Sequence, residues 1–294
     1  MQALPDPSAA APPLRILDAA ASLGVMGGDD GAPSRMLALL CDPEVEAGDV
    51  AELIKRQPTL CARVLRVANS PYYGQSRAVK TVERAFFVLG LEAVRGIAAA
   101  ACLERTVGVC HGQGVLDMNR LLDHSLATAV AGESLAKRLG LPLAADAFIA
   151  GLLHHLGLAV QAAVDPGGVT AMLAARRQGS VLGIRELESR LCSVAHEECV
   201  REIFGAWSLP ESLSAAAGHH HDPSGAPARH QQLASLLNVS TSLAALSGHG
   251  IELEYVDPQV PPDSLIVEIG AADAQQVLAD LAERVQRLRA ALRD

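Results

Sequence analysis

Phe148-Ile149-Ala150-Gly151-Leu152-Leu153-His154-His155-Leu156-Gly157 is the stretch that decides how this chain is read. Alanine and leucine are strong helix formers, so the run predicts a helix. Two adjacent imidazoles inside it cost free energy to bury unless they are hydrogen-bonded or bound to a metal. His154 and His155 are therefore the first candidates for function.

The composition around that stretch agrees with a helical reading. Half of the residues are apolar but only 3% are aromatic, so Leu, Val and Ala must fill the core and the enrichment typical of strands is missing. A chain of 294 residues can bury a substantial core and divide into two lobes. We expect an all-α, two-lobed protein. Its parts would be a flexible N-terminal segment at 1–31, an N-terminal helical lobe at 32–107, a second helical lobe at 115–250, and an extension at 251–294 ending in an amphipathic helix.

Local signals refine this. Residues 1 to about 13 are rich in Pro and Ala, and Gly27-Gly28-Asp29-Asp30-Gly31 is a second break. Asp49 is expected to cap one helix and Pro58 to open the next, which Asn69-Ser70-Pro71 ends. Thr81 is expected to cap a helix burying Val82, Ala85, Phe86 and Leu89, stopped by Gly90, before another at about 92–104. Gly108 to Gly114 reads as the internal boundary. Beyond it, helices are predicted at about 117–139, 145–163, 169–177, 184–190, 195–206, 210–219, 229–247 and 271–292. The alternation of Ile251, Leu253 and Tyr255 allows a short strand.

Charge and cysteine usage exclude several classes. The net charge is −9, and lysine occurs only at Lys55, Lys80 and Lys137, the other cations being arginine. Such a chain lacks the basic stripe that a phosphate backbone requires, so nucleic-acid binding is not expected. No apolar run nears the roughly 20 residues of a membrane span and the N-terminus lacks signal-peptide character, so a cytoplasmic protein without a membrane role is expected. Cys41, Cys61, Cys102, Cys110, Cys192 and Cys199 have neither C-x-x-C nor zinc spacing and read as free thiols.

Several segments carry a family resemblance. In the first half these are Asp42-Pro43, Gln57-Pro58-Thr59-Leu60, Arg63-Val64-Leu65-Arg66-Val67-Ala68-Asn69-Ser70 and Ala85 to Gly90. In the second they are His124-Ser125, the stretch quoted above, His196-Glu197-Glu198 followed by Trp207-Ser208-Leu209-Pro210, and His220-His221-Asp222-Pro223. Together, over about 33–290, they resemble the HDOD family, bacterial helical proteins related to HD-domain phosphohydrolases. Two positions depart from that pattern: His155 stands where the family has Asp, and Val200 where glycine is usual.

The resemblance implies a degenerate HD-like site. An HD hydrolase holds its metal with a His, a His-Asp pair and a later Asp, and the metal lowers the pKa of bound water. His124 and His154 match the first two ligands. His155 replaces the paired Asp, and Thr241, within Leu237-Asn238-Val239-Ser240-Thr241, stands nearest the last one. Losing both carboxylates removes the charge that offsets a hard cation, so hydrolysis by that route is not expected. Two readings then remain for His124, His154, His155, His196, His220 and His221. They form a hydrogen-bonded vestige with no metal and no cofactor, the favoured expectation, or an all-imidazole site for Zn, Ni or Fe.

The family further implies a noncatalytic signalling scaffold in motility, biofilm, stress or cyclic-dinucleotide responses. It would bind a signalling protein or a regulatory ligand between the lobes. Arg63, Arg66, Asn69 and Ser70 are candidate partner contacts, although Arg63 and Arg66 also fit a solvated basic face at a helix end. Two further readings are a metal-dependent nucleotide phosphohydrolase using a rearranged histidine site, and a cyclic-dinucleotide effector using Arg63, Arg66, Arg176 and Arg177. His111, His230 and His249 read as surface residues.

Overall fold

The computed structural model describes residues 18, 32–42, 44–70, 73, 75, 77–110, 114–254 and 270–292, and among them there is no strand. The helices are α1 (Ala32–Cys41), α2 (Ala47–Lys55), α3 (Pro58–Ala68), α4 (Val82–Leu89), α5 (Leu91–Cys110), α6 (Met118–Arg138) and α7 (Ala144–Leu153). They continue as α8 (Leu156–Val164), α9 (Pro166–Arg177), α10 (Ile184–Leu191), α11 (His196–Ala206), α12 (Glu211–Ala217), α13 (Gln231–Ala244) and α14 (Ala271–Leu292). The fold is all-α, as expected.

Their ends follow from local chemistry. Thr81 accepts from the backbone N–H of Arg84 at α4, and Asp117 does the same from Arg120 at α6. Asp165 accepts from Gly168 at α9, where Pro166 fills the first helical position. Gly90 closes α4 with φ of 79°, a left-handed value that L side chains rarely adopt. Asp49 is not a cap: Glu46 holds that position and Asp49 lies in the first turn of α2, where its charge still favours the helix dipole. Val82 and Ala85 are buried as expected, while Phe86 and Leu89 are half-buried.

Helix α5 is longer than its sequence suggests. It runs through Gly108 to Cys110, because a run of alanines sustains it. It packs on α1, α3, α7 and α8, so it joins both halves of the chain. Helix α6 lies beside α7, α13 and α14. Small residues permit this closeness: a Cβ on Gly151 would come within 2.8 Å of the Ala129 backbone.

The predicted helix at 145–163 is two helices, α7 and α8, separated by His154 and His155 in a turn. Leu152, Leu153, Leu156 and Leu158 around the break are at most 1% exposed, each contributing roughly 1.5–3 kcal/mol of burial. Burial therefore anchors a turn that propensity alone would not place. The stretch 144–164 is long and apolar enough by composition to cross a membrane, but 83% of its most apolar window lies inside the protein.

The segment 251–254 forms a turn rather than a strand, and 255–269 lies outside the described residues. The expectations for residues 1–31 and His111 also fall outside them, apart from position 18. Cys41, Cys61, Cys110, Cys192 and Cys199 are free thiols, and burial pushes that of Cys199 up to about 12.

Candidate functional site

The break between α7 and α8 turns both histidines of the pair toward the start of α6, the start of α11 and the turn after α12. Six imidazoles meet there. Ring centroids lie 3.8 Å apart for His154 and His155, 5.1 Å for His124 and His155, 4.9 Å for His154 and His220, 5.3 Å for His155 and His196, and 4.0 Å for His220 and His221. His124, His154, His155, His196 and His220 are at most 1% exposed, and His221 keeps 19% of its side chain accessible. The sequence-derived cluster is brought together in full.

What lies behind each ring fixes its tautomer. His124 Nδ1 is 2.9 Å from the His249 carbonyl, His154 Nδ1 is 2.7 Å from the Gly151 carbonyl, and His220 Nδ1 is 2.7 Å from the Ala217 carbonyl. A carbonyl accepts only, so each Nδ1 carries a proton and each Nε2 faces inward. His196 Nδ1 faces both oxygens of Glu188 at 2.9 and 3.0 Å, and the same carboxylate accepts from the His196 backbone N–H. Glu197 accepts from the backbone N–H of His221 and meets Arg185 at 3.2 Å.

Burial pulls the His154 and His155 pKa values well below the usual 6.5, helped by the neighbouring imidazoles, and takes that of His220 to about 3. His196 moves the other way. Burial lowers its pKa, but the carboxylates of Glu188, Glu197 and Glu254 together outweigh burial and the net shift is upward.

The sequence reading missed two carboxylates. Glu188 falls on the same stripe of α10 as the buried Ile184, Leu187 and Leu191, and an acid on an apolar stripe was a legible signal. Glu254 carried none. It reaches the cluster from the turn after α13, with Oε2 3.3 Å from His124 Nε2 and Oε1 3.2 Å from His155 Nε2 and 3.7 Å from His221 Nε2. Its side chain is only 3% exposed. Thr241, the residue nearest the lost Asp in sequence, instead gives its hydroxyl to the Leu237 carbonyl one turn back in α13. Glu254 is the carboxylate that faces His124, His155 and His221.

Arginines hold the strap that carries Glu254. Arg120 Nε donates to the Gly250 carbonyl at 2.8 Å, Arg176 donates to the carbonyls of Leu253, Ser180 and Leu182, and Arg177 pairs with Glu252 at 2.6 Å. Arg176 and Arg177 therefore serve internal partners instead of forming the phosphate contacts considered from sequence. Arg63 likewise pairs with Glu104 at 2.6 Å in a half-buried setting, not a solvated face. Asn69 exchanges two hydrogen bonds with the Val79 backbone. His249 and His230 are half-buried rather than on the surface.

Arg66, Asn69 and Ser70 line a separate cavity of about 940 Å³ with Tyr73, Phe148 and Leu288, between α3, α5, α7 and α14. Among the described residues, two groups of four bring potential metal-ligand atoms within 4.8 Å of one another: His124, His154, His155 and Glu254, and His155, His196, His220 and His221.

Helices around a buried histidine cluster, with the His154-His155 pair in a helix break, are the arrangement that the HDOD resemblance implies. The chain belongs to the HDOD family, whose domain matches residues 32–223. It is similar to an uncharacterised Treponema pallidum protein, 24% identical over 207 residues, covering 69% of this chain and 39% of that relative, so it spans about two fifths of the relative's length. Among solved structures, a Geobacter sulfurreducens HDOD domain protein of unknown function shares the fold with TM-score 0.68 and 23% identity, covering 95% of this chain and 97% of that one. A Marinobacter aquaeolei protein provisionally assigned to signal transduction gives TM-score 0.69 and 24% identity, over 88% of this chain and 57% of that one. A provisionally assigned phosphohydrolase from Shewanella amazonensis gives 0.67 and 21%, over 92% and 97%.

Proposed function

We propose that this chain is a noncatalytic regulatory protein of bacterial signal transduction, working in the cytoplasm and binding a protein partner in the cleft beside α3, α5 and α14. The observation that carries this reading is the sealing of the histidine cluster. Five of its imidazoles are at most 1% exposed, whereas hydrolysis at an HD-type site needs a position open to water and substrate. The paired Asp is also replaced by His155.

The cleft offers what the cluster lacks. Its lining combines Tyr73, Phe148, Leu89 and Leu288 with Arg66, Lys137, Glu92 and Glu133, a mixture suited to a segment that carries both apolar and charged groups. A cyclic-dinucleotide reading is less well supported, since Arg63, Arg176 and Arg177 have internal partners.

The test pairs a binding experiment with a turnover assay. One partner retained by the wild type from cell extract and lost with Leu288→Glu, together with no phosphodiester turnover in Mn²⁺, Ni²⁺ or Fe²⁺, is the expected result. Turnover that disappears in His154→Ala would overturn it in favour of a phosphohydrolase.

A further inference from the structure

We infer that Glu254 completes a closed site for one divalent transition metal of borderline softness, such as Zn²⁺, Ni²⁺ or Fe²⁺, held by His124, His154, His155 and Glu254. The sequence alone favoured a metal-free vestige because both acidic ligands of the HD pattern are missing. Glu254 changes that balance. It lies outside the matched family segment of 32–223, and it returns one carboxylate to the histidines from a different part of the chain.

Unsatisfied atoms are the first support. Among the described residues, the Nε2 of His154, both ring nitrogens of His155 and both oxygens of Glu254 are buried without a hydrogen-bond partner. Leaving such groups buried and unpaired is costly. A single cation in their midst takes up His154 Nε2, one ring nitrogen of His155 and the Glu254 carboxylate together.

The second support is directional. Because the Nδ1 atoms of His124 and His154 face backbone carbonyls at 2.9 and 2.7 Å, their Nε2 atoms point into the same space. A ligating imidazole almost always donates its other ring N–H to a carbonyl or carboxylate in this way.

Spacing is the third. Ligands about 2.0–2.1 Å from a tetrahedral ion lie about 3.3 Å from one another. The Glu254 oxygens stand 3.3 Å from His124 Nε2 and 3.2 Å from His155 Nε2. The three arginines on the strap keep the carboxylate there. The all-imidazole group formed by His155, His196, His220 and His221 shares His155 but offers no carboxylate to offset the ion's charge, so it is the weaker host.

Metal content and thermal stability of the untagged protein test this, after loading with Zn²⁺ or Co²⁺ and removal of excess ion. We expect one ion per chain, a rise in melting temperature on loading, and the visible absorption of tetrahedral cobalt. Glu254→Gln, nearly the same shape, should fold as the wild type does in chelator. It should lose affinity by more than the roughly 10–100-fold typical when only a group behind a ligand is removed. His221→Ala should keep the ion. Wild type that takes up no metal overturns the proposal, as does an ion lost in His221→Ala but kept in Glu254→Gln. Neither result bears on partner binding in the cleft.

Discussion

The histidine cluster and the cleft beside α14 treat polar residues in opposite ways. In the cluster, imidazoles and the carboxylates of Glu188, Glu197 and Glu254 are packed nearly out of solvent, so each atom's role is set by the group placed behind it. Around the cleft, ion pairs such as Lys137 with Glu133 lie partly in water, where a pair contributes little. The same residue types are fixed chemistry in one region and adjustable surface in the other.

Acidification should separate the two regions most strongly. His154, His155 and His220 are held below the unfolded value of about 6.5. Unfolding then takes up protons as pH falls through 6.5, and stability declines by as much as roughly 1.4 kcal/mol per pH unit for each such histidine. His196, with its pKa raised, opposes this. Its contribution is complete below about 6.5 and is lost as pH rises through its folded value. Melting temperatures measured from pH 7.5 to 5 should fall steeply, and a flat profile would mean that the cluster is solvated like the cleft.

Gly157→Ala should come next. A Cβ there would lie 2.0 Å from the His196 carbonyl oxygen, a clash that only separation of α8 from α11 relieves. We expect a loss at or above the upper end of the about 1–3 kcal/mol typical of overpacking, read by urea unfolding. A neutral result would show that the walls of the cluster are pliable.

Arg176→Ala removes donors to three backbone carbonyls, including that of Leu253. About 1–3 kcal/mol should be lost, with amide exchange at 250–254 rising more than elsewhere. Uniform exchange across the chain would break the link between this arginine and the strap. Lys137→Ala at the cleft should give the smallest effect, within about 0.5 kcal/mol by the same unfolding assay.

Much of this was legible in the sequence where the cause is local. Pro58, Thr81 and Gly90 mark helix ends by their own conformational preferences, and the paired histidines announced a buried polar site. The break at His154-His155 was not legible, since alanine and leucine on both sides favour continuous helix and the interruption comes from packing between α8 and α11. Nor was Glu254, about 100 residues downstream in a short turn: only the fold brings it to His155. Arg176 looked like a phosphate contact because a sequence shows a cation without its partner. Glu188 was readable from its stripe and was overlooked.

The strap from Gly250 to Glu254 has a consequence in time. With the cluster buried and three arginines fastening the strap to the body of the fold, an opening of that segment is a local event that exposes the histidines without unfolding the rest. Anything held behind it would exchange at the pace of that opening, so a long-lived occupied state would not require exceptional affinity.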